Sequence, residues 1–231
     1  MNLPLNSLID RNDTTAVARY HMIQQQIRPW DVHGEAVLQA LEAVRREDFV
    51  PPSHYAQAFM DVEIPLSDAA DAPIMLSPKV EARMINDLDI LPTDRVLEIG
   101  TGSGYSAALL SHVSHSVVSL EIDAELAEQA RENLATAGCN NVTVRQANAV
   151  GDALAEGPFD VIVLSGSVEV LPEALLQHLK EGGRLGAIVG VAPVMRFTIA
   201  TKTNGQLTVT TPWDTVAPRL SGFATQSRFS F

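Results

Sequence analysis

The sequence predicts an α/β protein: a mostly parallel β-sheet with helices on both faces, ending in a C-terminal antiparallel hairpin and preceded by an N-terminal helical extension. Three observations carry this. From Arg95 onward, short apolar runs of strand length alternate with helix-forming segments, the pattern of repeated βα units. The first run leads into alternating glycines, Gly100, Gly102 and Gly104, and then into a helical segment. Near the end, Asn204-Gly205 separates two β-rich runs, and both residues tolerate the positive φ that a two-residue hairpin needs.

Each element has its own local reason. Val17, Tyr20, Gln24 and Ile27 fall near one helical face, and Val37, Leu38, Leu41 and Val44 repeat at helical spacing. Pro29 separates the two segments and Pro51-Pro52 ends the second. Residues 60–76 are irregular and acidic, with Pro65 and Pro73, and read as a loop crossing the surface. Ser77-Pro78 opens a helix to about Leu88, with serine in the cap position and proline in the first turn. Strands are expected at 95–99, 117–120, 142–144, 161–164 and 185–189, and helices at 105–112, 124–137 and 171–179. Gly138 reads as a C-cap, and Gly182-Gly183 as the close of the helix before them. The hairpin joins 197–203 to 206–210, and beyond Trp213 no regular pattern is legible. The expected organisation is one compact unit, with a helical extension and substrate loop over 1–90 and a cofactor-binding core over 91–231.

Composition narrows the function. The chain has 231 residues, with 16 Lys+Arg against 28 Asp+Glu, a net charge of −12. An acidic chain without a basic stripe is a poor binder of phosphate backbones, so no nucleic-acid partner is expected. Arg45-Arg46 is the only adjacent basic pair; it reads as a solvated helix end, with a substrate carboxylate as the alternative partner. One cysteine, Cys139, excludes an intramolecular disulfide and fits a reducing compartment. No apolar run approaches membrane-spanning length and the N-terminus has no signal-peptide pattern, so a cytoplasmic protein off the membrane is expected. His112 and His115 lack the neighbouring acids or cysteines that a metal site requires, and no metal is expected.

The segment from Val96 to Tyr105 is strand, acid (Glu98), glycine turn, then helix. Glycine lets the backbone turn tightly and approach a ligand. Glu121 ends the next strand, where an acid accepts hydrogen bonds from ribose hydroxyls. Gly102, Gly104 and Ala107 also satisfy a dinucleotide pattern, which is weak evidence alone. Glu98 favours S-adenosyl-L-methionine, whose sulfonium and ammonium a carboxylate attracts, over a pyrophosphate, which it repels. The expected cofactor residues are Glu98, Gly100, Thr101, Gly102, Gly104, Tyr105, Glu121 and Ile122. Asn148, after the third strand, is either an adenine contact through its amide oxygen or a plain loop asparagine.

Together with these motifs, Met22–Ile27 and the run VLQALEAVRREDFV at 37–50 are similar to the N-terminal region of the protein-L-isoaspartate O-methyltransferase family. So are 58–61 leading to Ile64-Pro65-Leu66, LEIGTGSGY at 97–105, GPFDVIVLS at 157–165 and LPEALLQHLKEGGRL at 171–185. The resemblance covers most of residues 18–190. It implies a Rossmann-like seven-stranded methyltransferase sheet, S-adenosyl-L-methionine as methyl donor, and protein or peptide substrates carrying isoaspartyl residues. It also implies that Ser77 and Ser165 lie near the methyl-acceptor carboxylate. Such a carboxylate is already ionised at neutral pH, so the reaction needs no general base. The chain departs from the family pattern in places. The substrate loop G-Q-T-I-S-x-P reads with Leu76 at the serine position and Ser77 one residue late, where it could serve only as a cap. Gly-Asp-Gly is Ala147-Asn148-Ala149, Ala153 stands at a tryptophan position, and the run after the fourth strand is Ser165-Gly166-Ser167-Val168. A methyltransferase with a different acceptor, and a non-catalytic cofactor-binding adaptor, are the alternatives at this stage.

Overall fold

The computed structural model describes residues 12–150 and 157–225; Ala153 lies outside them. The helical extension comprises α1 (Thr14–Met22), a π-turn at Ile23–Ile27, a 3₁₀ turn at Arg28–Trp30 and α2 (Glu35–Ala43). Asp13 caps α1 by accepting from the amides of Thr15 and Ala16 at 3.0 and 3.1 Å. Next come β1 (Ile64–Pro65), β2 (Ile74–Met75) and α3 (Pro78–Asp87). The core follows as β3 (Arg95–Ile99), α4 (Tyr105–Val113), β4 (Ser116–Glu121), α5 (Ala124–Thr136), β5 (Val142–Gln146), β6 (Phe159–Val168), α6 (Glu173–Leu176), β7 (Leu179–Val191), β8 (Val194–Thr203) and β9 (Gln206–Asp214).

The main sheet has seven strands in the order β5-β4-β3-β6-β7-β8-β9. The first five run parallel and β8 and β9 are antiparallel additions. The predicted hairpin is present: Thr203 pairs with Gln206, and Asn204 and Gly205 have φ of 53° and 72°. Strand alternation divides the core into two layers. Val96, Val117, Val161 and Val163 point to the face shared with Tyr105 and Leu109 of α4 and with Ile27 and Leu41 of the extension. Leu97, Ile99, Ile162 and Leu164 point to the other, with Leu175 of α6.

Five local expectations are corrected. The second N-terminal helix stops at Val44, in extended backbone, well before Pro51. The reason is Arg46, which is fully buried and donates to the carbonyls of Ala58 (3.0 Å) and Leu76 (2.9 Å), with its guanidinium over the Tyr105 ring. It is a tie for the loop, not a solvated helix end or a substrate contact; Arg45 pairs with Asp48 at 3.2 Å. The loop at 60–76 is not wholly irregular, since Ile64 pairs with Met75 and Pro65 with Ile74. The helix expected at 171–179 shrinks to α6, because β7 begins at Leu179. Gly182-Gly183 falls inside β7, where pairing jumps from Phe159↔Leu179 to Val161↔Arg184 and Gly182 takes φ of 79° in the bulge.

Candidate active site

Chain order reverses between β3 and β6: from β3 the chain builds outward to β5, then returns to β6 on the other side. A crevice opens at the carboxyl ends of the strands at such a switch point. Here it is a cavity of about 320 Å³. Its floor is Gly100 and Gly102 after β3, Glu121 and Ile122 after β4, and Asn148 after β5. Gly100 takes φ of 90° and Gly104 takes φ of 89° just before α4; residues with a β-carbon rarely adopt that conformation. The Gly100 amide donates to the Leu120 carbonyl at 2.9 Å, which ties the turn to β4.

Glu121 is nearly buried and organises the floor. One carboxylate oxygen accepts from the Gly102 amide at 2.8 Å, the other from the Asp123 amide at 3.1 Å. Each oxygen can accept a further hydrogen bond and the side chain lines the cavity, which suits two vicinal ribose hydroxyls. Ile122, two-fifths exposed, gives an apolar surface beside it. Asn148 also lines the cavity, and its side-chain oxygen accepts from the Val150 amide at 3.0 Å. A nucleoside with an attached amino-acid arm fits this donor and acceptor set.

Glu98 is placed differently from the expectation. It is fully buried and is absent from the residues lining the cavity. Glu98 and Ser119 are register partners on β3 and β4, and Ser165 follows two residues after Val163, the β6 partner of Glu98. The period of two puts all three side chains on the α4 face. Ser119 donates to one Glu98 oxygen at 2.6 Å and Ser165 to the other at 2.7 Å. The Thr101 hydroxyl lies 2.5 Å from that of Ser119. The Ser165 hydroxyl, which lines the cavity, thus stands between it and the buried carboxylate. Burial raises the Glu98 pKa to about 7, against the opposing pull of the Ser119 and Ser165 hydroxyls.

A second cavity of about 20 Å³ lies between residues 74–76 and the glycine turn, bounded by Leu76, Glu81, Thr101, Tyr105 and Ser165. Ser165 lines both cavities. Tyr105 faces the smaller one and not the larger, with a buried hydroxyl that has no hydrogen-bond partner among the described residues. Ser77 holds the N-cap position of α3 by backbone geometry alone, without a side-chain cap bond, and Leu76 takes its place at the cavity wall.

Sequence reasoning missed several wall residues. Leu66 and 71–74 close one side, and Pro218–Ser221 with Phe223 close the other. Glu81 was missed because on the helical repeat it reads as one more polar position of α3, yet it is buried. Ser106 was missed for the same reason on α4.

Comparison with known proteins agrees with this geometry. Residues 18–216 match the family model described as protein-L-isoaspartate(D-aspartate) O-methyltransferase. The protein-L-isoaspartate O-methyltransferase of Koribacter versatilis is 36% identical over 194 residues, covering 83% of this chain and 85% of that protein. The Rhodopseudomonas palustris protein of that name is 40% identical over 173 residues, 73% of this chain and 77% of its own. A solved protein-L-isoaspartate O-methyltransferase superposes with a TM-score of 0.77 at 23% identity, covering 89% of this chain and 65% of that one. A Plasmodium falciparum structure described as a protein-L-isoaspartate O-methyltransferase in complex with S-adenosyl-L-homocysteine gives 0.75 at 19%, over 90% and 98%. The two structures establish the likeness of fold. With the family model matching most of the chain and relatives above a third identical over most of both lengths, the chain belongs to the protein-L-isoaspartate(D-aspartate) O-methyltransferase family.

Proposed function

We propose that this protein transfers the methyl group of S-adenosyl-L-methionine to the free carboxylate of isoaspartyl residues in proteins or peptides, the first step of their repair. The single observation that carries the reading is the membership of a family of that activity, in a chain whose switch-point cavity keeps the glycine turn and Glu121. S-adenosyl-L-methionine supplies an electrophilic methyl carbon on a positively charged sulfur. Glu121 would accept from the ribose hydroxyls, with Asn148 and Ile122 on the adenine side. The glycine turn from Gly100 to Gly104, with Thr101, would hold the amino-acid arm, and Glu98 would offset its charge through Ser119 and Ser165.

The acceptor side needs little chemistry. The carboxylate is anionic at pH 7, so the protein has to align it and exclude water. Ser165 stands on the wall shared by both cavities and gives its one proton to Glu98, so it would orient the acceptor by turning that proton from Glu98 to it; Ser77 stands behind Leu76. Apolar Leu66 and Leu220 would keep solvent from the transfer path. Among the described residues no helix is long and apolar enough to cross a membrane, and a cytoplasmic location remains part of this reading.

The test is methyl transfer from labelled S-adenosyl-L-methionine to an isoaspartyl peptide beside its aspartyl twin. Label is expected in the isoaspartyl peptide alone. Tight S-adenosylhomocysteine binding with no label in either peptide would move the substrate elsewhere.

A further inference from the structure

The small cavity between residues 74–76 and the glycine turn holds two polar groups that the cofactor site does not use. Glu81 of α3 and Tyr105 of α4 both line it, and each is more than nine-tenths buried. The Tyr105 hydroxyl and one Glu81 carboxyl oxygen have no hydrogen-bond partner among the described residues. The other hydroxyls of the wall are engaged. Ser165 gives its proton to Glu98 at 2.7 Å, and Thr101 lies 2.5 Å from the Ser119 hydroxyl. Buried polar groups in native proteins almost always find a partner, so two free ones on one recess mark a place for a ligand atom. A volume of about 20 Å³ takes one oxygen-sized group.

The chemistry of that group follows from the wall. A tyrosine hydroxyl donates. Burial pushes the Glu81 pKa up to about 8, so at pH 7 its carboxyl carries a proton and donates as well. Among the charged groups near it, Arg46 opposes that rise and Glu98 adds to it. Behind Tyr105, Glu47 is paired with Arg19 and Arg45, while the Arg46 guanidinium lies over the ring at 5.7 Å. Two proton donors beside a buried guanidinium suit an anionic oxygen and not an ammonium. The recess also shares Ile74, Gly100, Gly102 and Ser165 with the cofactor cavity. Leu76, which stands where the family pattern has its serine, forms part of the wall and brings no hydroxyl.

We propose that this recess takes one oxygen of the methyl-acceptor carboxylate, held by Glu81 and Tyr105 in place of the hydroxyl lost at Leu76. The second oxygen is left towards the cofactor cavity. It bonds to the methyl carbon as the carbon–sulfur bond breaks and sulfur takes the electron pair; the Glu81 and Tyr105 protons stay where they are. Glu81 thereby becomes an acceptor-binding residue of this chain. The proposal rests on the reading of the protein as an isoaspartyl methyltransferase.

The test combines kinetics on an isoaspartyl peptide with calorimetry of S-adenosylhomocysteine, on the full chain. Glu81→Leu and Tyr105→Phe each remove one donor and leave an apolar group of similar size. Each should raise KM for the peptide roughly tenfold, the scale of one hydrogen bond to a charged group. S-adenosylhomocysteine affinity should stay within twofold, which also certifies the fold. Glu81→Gln keeps an N–H donor and should recover most of what Glu81→Leu loses. From pH 7 to pH 9 ionisation of Glu81 should lower wild-type kcat/KM more than that of Glu81→Gln; Glu98 titrates in both and cancels. Unchanged KM in Glu81→Leu and Tyr105→Phe would overturn the proposal, as would a glutamine no better than leucine. A tenfold loss of S-adenosylhomocysteine affinity with KM unmoved would overturn it too, assigning the recess to the carboxylate of the cofactor's own amino-acid arm. If wild-type protein binds S-adenosylhomocysteine but methylates no isoaspartyl peptide, the functional reading fails and the proposal with it. If wild type is active and the variants are indifferent, only the proposal fails.

Discussion

Replacing Glu81 with glutamine should make the protein markedly more stable than wild type at pH 9 and not at pH 5. Glu81 is buried on α3, and one of its carboxyl oxygens has no hydrogen-bond partner. Burial raises its pKa to about 8, against the pull of Arg46 and with a further push from Glu98. Arg46 is committed to the carbonyls of Ala58 and Leu76, and makes no ion pair with Glu81. In the unfolded chain Glu81 titrates near its ordinary value of 4.5. Between those two values the folded protein holds a proton that the unfolded chain has released, so stability falls as pH rises. The slope is about 1.4 kcal/mol per pH unit until the folded pKa is passed, a total of several kcal/mol. Glutamine cannot ionise and removes this loss.

For a chain of this size about 1 kcal/mol corresponds to roughly 2–4 °C in melting temperature. The melting temperature of Glu81→Gln relative to wild type should therefore climb by roughly 10 °C between pH 5 and pH 9. The comparison of two pH values cancels any fixed cost of burying the amide. Glu98 keeps its own share of the pH dependence with the same sign, ending near pH 7, so the variant's profile flattens without becoming level. Tyr105, on the same cavity, stays protonated throughout because burial raises its pKa above the range tested. An equal offset between the two proteins at pH 5 and pH 9 would show that Glu81 is ionised in the native state, with Arg46 as its counter-charge.

What the sequence made legible follows from the range of the interactions. The alternation from Arg95, the glycine turn and the Asn204-Gly205 hairpin are local patterns, and each sits in the structure where its residues placed it. The placement of Glu121 depends only on the strand before it, and it too stands at the cavity. Errors arose where a distant contact overrode a local signal. Arg46 ends α2 early because carbonyls 12 and 30 residues away draw it inward. Glu98, expected among the cofactor residues for its charge, lies within β3 and its side chain turns to the α4 face, where Ser119 and Ser165 meet it. The segment at 217–220 was not legible because its order does not come from its own sequence pattern: it comes from Ser167, 50 and more residues away in the chain.

Glu121 offers the largest expected effect on binding. Its carboxylate does two things at once: it holds the Gly102 amide of the glycine turn, and it faces the part of the cavity assigned to the ribose. Hydrogen bonds to a charged group contribute about 1.5–3 kcal/mol each. Losing two such bonds to ribose hydroxyls in Glu121→Ala should weaken S-adenosylhomocysteine binding by about a hundredfold or more, since each 1.4 kcal/mol is a factor of ten. Glu121→Gln separates the two roles. Its amide oxygen can still accept from the Gly102 amide, while its amino group can accept neither from a ribose hydroxyl nor from the Asp123 amide, so an intermediate loss is expected. Adenine alone, which carries no ribose, should bind wild type and Glu121→Gln equally if the glutamine preserves the turn. Calorimetry with both ligands therefore distinguishes a ribose contact from a merely structural acid. Affinity for S-adenosylhomocysteine within twofold of wild type in Glu121→Ala would remove Glu121 from the site and, with it, the placement of the cofactor at the switch point.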